Sequence, residues 1–309
     1  MRTLNATRES AQDNAQVRRP AWGAALKERG VERLLFLTAA LNIALVAVIC
    51  LYLVAAGLPA LRQVGVVDFL FGARWASTDV PPEFGILPFI LTSLTGTAAA
   101  VVVGLPLGLF SALYLGRIAS RRVRALIEPL VDLLASIPSV VYGFLGMLLL
   151  VPAIQTIFGV PDGSGWLAAV VVLTVMVLPT IIKVSLSALD AVPEEYVQSS
   201  LALGATHIET LFRVVLPAAR SGIAAAVVLG VGRAIGEAMA VMMVAGNVAN
   251  MPAPFESVRF LTTAIASEMA YSSGLQRDAL FSIALVLFVF IMLVNTTLNL
   301  VIKKKEERR

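Results

Sequence analysis

The 309-residue chain holds one cysteine, Cys50, and one histidine, His207. A lone thiol inside an apolar run forms neither a disulfide framework nor a thiolate metal site within the chain. A lone histidine in a polar loop excludes a histidine metal cluster and a histidine proton relay inside a membrane. None of the five lysines, Lys27, Lys183, Lys303, Lys304 and Lys305, follows a glycine, so the phosphate-cradling Gly-x-x-x-x-Gly-Lys loop is missing. The chain is therefore not its own P-loop ATPase. Gly-x-Ser-x-Gly and His-Glu-x-x-His are missing too, and no enzyme constellation is visible. Charge is scarce: 14% of residues are charged against 58% hydrophobic, with a mean hydropathy of +0.87. A soluble domain of this size cannot hide so much apolar surface, which makes the chain an integral membrane protein. Its formal charge of +4 does not imply nucleic acid. The basic residues border apolar runs, where lipid headgroups and topology account for them.

Apolar runs fall at 34–57, 86–115, 130–158, 167–189, 222–246 and 279–302. Each is long enough to cross a hydrocarbon core of about 30 Å. The expectation is an all-α integral membrane protein with six spans over 34–302, between a basic leader, 1–33, and a basic tail, 303–309. The leader has no small-residue cleavage pattern after a short apolar core and reads as a poorly ordered cytoplasmic segment rather than a signal peptide. Leader, 116–129 loop, 190–220 loop and tail together hold eighteen Lys and Arg residues, and the three intervening loops hold four. That bias puts both termini in the cytoplasm. Lys183 and Arg233 fall within spans; Lys183, seven residues from the cytoplasmic end of span four, reads as snorkelling to the headgroups. Within 247–278, the stretch 261–269 has helical spacing and is expected to dip into the outer leaflet or lie on it.

Two spans carry marks of irregular helix. Span three contains Ile137-Pro138-Ser139 and Tyr142-Gly143, and span two contains Pro88, Gly104, Pro106 and Gly108. A proline inside a span frees a backbone carbonyl, which Ser136 or Ser139 can partly satisfy, so both serines are candidate pathway residues at a kink. Span five carries Gly232-Arg233-Ala-Ile-Gly236-Glu237. Four residues apart, Arg233 and Glu237 would share one helix face. A bare charge at that depth costs about 2.5–3.5 kcal/mol on insertion scales. It marks either an intrahelical ion pair or a water-lined anion site, to which arginine brings a permanent, fork-shaped donor set.

The 190–220 loop reads as a helix–glycine–helix lever. Pro193, Glu194 and Glu195 begin a helix, Gly204 divides it, and Leu201, Leu203, Ile208, Leu211, Phe212 and Val215 offer apolar contacts. Its acidic residues argue against an anionic-lipid anchor. Gly204, nine residues, an aliphatic residue, any residue and then Leu216-Pro217 resembles the coupling-loop signature of ABC importer permeases. The family's Glu-Ala-Ala, six residues ahead of the glycine, is Gln198-Ser199-Ser200 here.

The stretches 84–100, 136–146 and 216–247 further resemble the phosphate-importer (PstC-type) permeases, and the similarity covers most of 65–302. The resemblance implies the type I, MetI-like architecture in a bacterial inner membrane. It also implies a second, PstA-like permease, two PstB-like ATPase subunits, and a periplasmic PstS-like phosphate-binding protein. ATP hydrolysis belongs to the separate ATPase, no cofactor is implied, and the chain itself is not an enzyme. The implied coupling contacts are Glu194, Glu195, Gln198, Ala202, Gly204, Ala205, Leu216 and Pro217, and the implied intramembrane charges are Arg233 and Glu237. A permease for sulfate or molybdate remains an alternative. So do a secondary carrier or channel gated by Arg233 and Glu237, and a structural subunit with no pathway of its own.

Overall fold

The computed structural model describes residues 22–307, with side chains from residue 30 onward except at 299 and 301–307. The first 21 residues of the expected leader, and the last two of the expected tail, lie outside the described residues. Twelve helices and one small ribbon follow in order. They are α1 (Trp22–Val64), α2 (Val66–Phe71), β1 (Trp75–Ala76), β2 (Glu83–Phe84), α3 (Leu87–Ile118), α4 (Arg121–Ser136), α5 (Ser139–Phe158) and α6 (Trp166–Asp190). After these come α7 (Glu194–Ala202), α8 (His207–Ala218), α9 (Arg220–Gly236), α10 (Met239–Val244), α11 (Leu261–Glu268) and α12 (Gly274–Glu307). Among the described residues five helices are long and apolar enough to span a membrane, and the count reaches six where α8 and α9, bent by 68°, are taken as one span.

The chain divides into Met1–Tyr52 and Leu53–Arg309. The first unit contains most of α1, a helix lined by exposed apolar side chains such as Phe36, Ile43 and Leu51. Residues 22–33, expected to be poorly ordered, are helical. The second unit is built on α6, which packs against α3 on one side and α9 on the other. Leu173, Val177 and Ile181 of α6 are fully buried in this seam. Gly104 and Gly108, one turn apart on α3, make the approach possible: a Cβ at Gly108 would lie 2.7 Å from Ile181 Cγ2. Small residues at such contacts let helices in lipid come close enough to gain dispersion energy, because lipid supplies no hydrophobic drive between them.

The two ends of α3 sit in different clusters. Its start joins Ala60, Phe69, Phe84, Leu261, Leu280 and Ile283. There Trp75 of the ribbon pairs with Phe84, their rings 5.3 Å apart, and lies 5.6 Å from Phe89. Glu268 gathers this end, accepting from Arg259, from Trp75 Nε1 at 3.3 Å and from Gln276 Nε2 at 3.0 Å. The far end of α3 joins Leu186, Leu189, Leu211, Val215 and Ala219. The 58–85 segment and the 190–220 hairpin therefore lie at opposite ends of α3. Helix α11 is packed into the protein, with Leu261, Thr263 and Ala264 fully buried.

Span three departs most from the expected boundary. Residues 130–136 belong to α4, which ends at Ser136, and the membrane-length helix α5 starts afresh at Ser139. Helix α4 runs antiparallel to the last turns of α6, since Arg124 pairs with Asp190 and Asp132 with Lys183. Lys183 holds Asp132 at 2.7 Å, both side chains about half exposed. Asp190 and Glu128 keep Arg124 firmly protonated by accepting its hydrogen bonds.

Candidate functional site: a broken-helix cation and a coupling hairpin

Arg233 and Glu237 do not share a helix face. Helix α9 stops at Gly236, Glu237 is extended at φ −74° and ψ 128°, and α10 begins at Met239. The Glu237 carboxylate turns forward and accepts the Ala240 N–H at 3.0 Å, covering a donor at the start of α10. Its backbone carbonyl accepts the Thr262 hydroxyl at 2.8 Å. Backbone groups freed by a break in a span must be satisfied inside the protein, and these two side chains do so. The expected shared helix face is therefore replaced by a break that the Glu237 carboxylate caps.

Arg233 is half-buried in the last turn of α9. The helix C-terminus there favours a cation. Its closest polar contact is Nη1 to the Thr180 hydroxyl, at 3.5 Å, and no carboxylate lies within 4.0 Å of it among the described residues. Thr180 follows Pro179 inside α6. At a rise of about 1.5 Å per residue it sits about 15 Å from the Asp190 end of that helix and about 21 Å from the other.

The kink in span three is likewise closed from within. Pro138 has no N–H to give the carbonyl four residues back, that of Leu134. The Tyr142 hydroxyl donates to that oxygen at 2.7 Å. Ser136 is exposed and donates to Leu133 O at 2.7 Å, while half-buried Ser139 opens α5. Neither serine hydrogen-bonds Arg233 among the described residues. The residue brought to the cation is Thr180, and sequence reasoning missed it. Pro179 in span four was the available signal for Thr180, since it marks irregular helix as Pro138 does.

The hairpin has two faces. Leu211, Val215 and Ala219 are buried against Leu186, Leu189 and Leu115. Each buried Leu or Val of this kind contributes about 1.5–3 kcal/mol where its surroundings are aqueous. Tyr196, Ile208 and Phe212 are exposed, and Leu203 is 90% exposed. Gly204 has φ +89°, a left-handed conformation that ends α7. A capping box starts α8: Thr206 accepts from Glu209 N–H, and Glu209 accepts from Thr206 N–H at 2.9 Å. These bonds hold the exposed Glu209 carboxyl below its usual range, the backbone bond most of all. Ser200 and Thr210 join the two helices at 2.9 Å. Glu194 and Glu195 form the first turn of α7, where acidic groups suit the helix dipole, and Gln198 and Ala202 lie exposed further along it. Ala205 donates its N–H to Ser200 O at 3.3 Å. Leu216 and Pro217, both half-buried, immediately precede the 68° bend into α9.

An apolar helical bundle with a broken span and an amphipathic hairpin at one end is the anatomy of a transport permease. Residues 104–307 match the family described as the binding-protein-dependent transport system inner membrane component, and the chain belongs to it. It is a multi-pass inner-membrane translocation subunit that works with a separate ATPase and a substrate-binding protein. The probable ABC transporter permease protein YqgH of Bacillus subtilis is 38% identical over 266 residues, covering 83% of this chain and 86% of YqgH. The phosphate transport system permease protein PstC of Pasteurella multocida is 31% identical over 265 residues, covering 78% of this chain and 82% of that protein. Among solved structures, a bacterial alginate ABC transporter chain superposes with a TM-score of 0.59 at 18% identity, covering 91% of this chain and 96% of its own. A chain of the inward-facing MetNI methionine ABC transporter gives 0.53 at 22% identity, covering 71% and 94%. These two likenesses establish the MetI-like fold.

Proposed function

We propose that this chain is the PstC-type permease of an ATP-driven importer of inorganic phosphate, and that phosphate passes the membrane across Arg233. The observation that carries the site is a half-buried guanidinium beside a helix break, with a hydroxyl at 3.5 Å and no carboxylate partner among the described residues. A cation placed in a span at a cost of about 2.5–3.5 kcal/mol is best compensated by a passing anion. Arginine's planar donor set fits phosphate oxygens, and a broken helix at mid-span is where membrane carriers expose polar backbone to a cavity. Thr180 lends a second donor, Tyr142 and Glu237 hold the backbone breaks in place, and Ser136 and Ser139 mark the span-three kink. The PstC-named relatives support phosphate as the cargo.

The partners are a PstA-like permease, two PstB-like ATPases and a periplasmic PstS-like binding protein. Both termini face the cytoplasm. The transmembrane domain occupies 34–302 between the 1–33 leader and the 303–309 tail. ATP-driven closure of the ATPases presses on Glu194, Glu195, Gln198, Ala202, Gly204, Ala205, Leu216 and Pro217, and the bundle opens outward to receive phosphate.

The test is radiolabelled phosphate uptake by the reconstituted complex, with sulfate and molybdate as competitors. Arg233→Gln should leave the complex assembled and lower uptake by at least about tenfold, the worth of a charge-assisted contact. Normal uptake by that variant removes the site assignment. Uptake blocked by sulfate or molybdate and not by unlabelled phosphate reassigns the cargo.

A further inference from the structure

Arg117 stands where three elements meet. It closes span two in a widened turn, Tyr114–Ile118, and its side chain is 17% exposed. Nη2 donates to the carbonyl of Leu189 and, at 3.4 Å, to that of Val192. Nη1 lies 3.5 Å from Glu194 Oε2. Leu189 belongs to the last turn of α6, Val192 lies just beyond it, and Glu194 is the first residue of α7. The carbonyls at a helix end have no partner within their own helix, and a cation suits the negative end of its dipole. One side chain from span two therefore clasps the joint between span four and the coupling hairpin.

The space around the joint permits it to move. A cavity of about 250 Å³, lined by Val192, Pro193, Tyr196, Ala219 and Gly222 among others, separates the start of α7 from the start of α9. The neighbouring Arg124–Asp190 and Lys183–Asp132 pairs tie α4 to α6 but do not reach α7. Among the described residues, Arg117 makes the ionic contact between span two and α7.

We propose that Arg117 is the positioning residue that couples hairpin movement to spans two and four, so that ATP closure drives the bundle rather than bending the joint. The inference rests on the reading of 190–220 as the ATPase-docking hairpin. Its planar fork reaches two carbonyls and a carboxylate at once, which a lysine ammonium on a flexible stem does not.

The experiment measures phosphate imported per ATP hydrolysed in proteoliposomes carrying the whole complex, for wild type, Arg117→Gln, Arg117→Lys and Glu194→Gln. Arg117→Gln should still co-purify with the ATPase and hydrolyse ATP, while the ratio falls by about tenfold, as expected for lost charge-assisted bonds. Arg117→Lys should give an intermediate ratio. Glu194→Gln should lower it by less than about twofold, because the carbonyl contacts remain. A wild-type ratio in Arg117→Gln overturns the proposal. Should Arg117→Gln not assemble, a wild-type ratio in Arg117→Lys overturns it equally. Phosphate import by the wild-type complex without ATP would instead remove the underlying reading, and the proposal with it.

Discussion

Replacing Glu237 by Gln and by Ala should give different results, because its carboxylate accepts from the Ala240 N–H at 3.0 Å and does not pair with Arg233. Glutamine keeps an acceptor oxygen at that position. Its cost is the difference between a charged and a neutral acceptor, about 1 kcal/mol. Alanine leaves that amide without its acceptor, at about 1–3 kcal/mol. In both variants the Glu237 carbonyl retains the Thr262 hydroxyl, so the break itself persists. Were Glu237 instead the counter-ion of Arg233, either change would strand a buried charge at about 3–5 kcal/mol, and the two variants would fail alike. Thermal unfolding in detergent, followed by the three tryptophans, separates these cases. For a chain of this size about 1 kcal/mol corresponds to a shift of about 2 °C. Glu237→Gln should melt about 2 °C below wild type and keep most of its phosphate uptake, and Glu237→Ala should melt measurably lower. Equal losses of about 6 °C or more in both variants would refute the capping account.

Two further outcomes concern the hairpin. Gly204 has φ +89° with open space around an added Cβ. Gly204→Ala and Gly204→Leu should therefore loosen the hairpin equally, by about 1–2 kcal/mol of backbone strain, read as faster amide exchange across 194–202 and 207–210. A Leu variant far worse than Ala would show that side-chain clash, not conformation, selects glycine. At Glu209 the folded carboxyl is lowered by its Thr206 bonds, so the stabilisation is present above its ordinary value near about pH 4.3 and lost as pH falls through the lowered one. Protection of the Thr206 amide should stay constant from neutral pH to about pH 5 and collapse only in stronger acid. In Glu209→Gln that protection should no longer vary with pH, and an unchanged acid collapse there would assign it to another group.

The hairpin was legible because its signals are local. Pro193 with two glutamates starts a helix, Gly204 ends it, and Leu216-Pro217 precedes a turn whatever the rest of the chain does. The apolar runs were equally legible, since span length is a property of consecutive residues. The fate of Arg233 and Glu237 was not. An i, i+4 spacing implies one face only while the helix continues, and Gly236 permits an ending that depends on Thr262, a residue 25 positions away. The partner of Lys183 was hidden for the same kind of reason: Asp132 is brought by a helix that the run at 130–158 had absorbed into a span.

The breaks and the lever belong to one device. Tyr142 on Leu134 O, Glu237 on Ala240 N–H and Thr262 on Glu237 O each satisfy a backbone group that an unbroken helix would have satisfied unaided. Sequence that spends side chains on keeping spans interrupted keeps the regions beside the cation free to shift without exposing bare amides to lipid. The hairpin reaches that region along a short path, since α8 turns into α9 through Ala219 at 68°. Arg233 lies thirteen residues beyond Arg220, where α9 starts, about 20 Å along that helix. Helix α6, which carries Thr180, meets the hairpin both through Leu186 and Leu189, packed against Leu211 and Val215, and through the Arg117 contacts. The 3.5 Å contact between Arg233 and Thr180 is the place where a difference between the movements of α9 and α6 would be felt. A contact that long is weak enough to open when an anion arrives or departs.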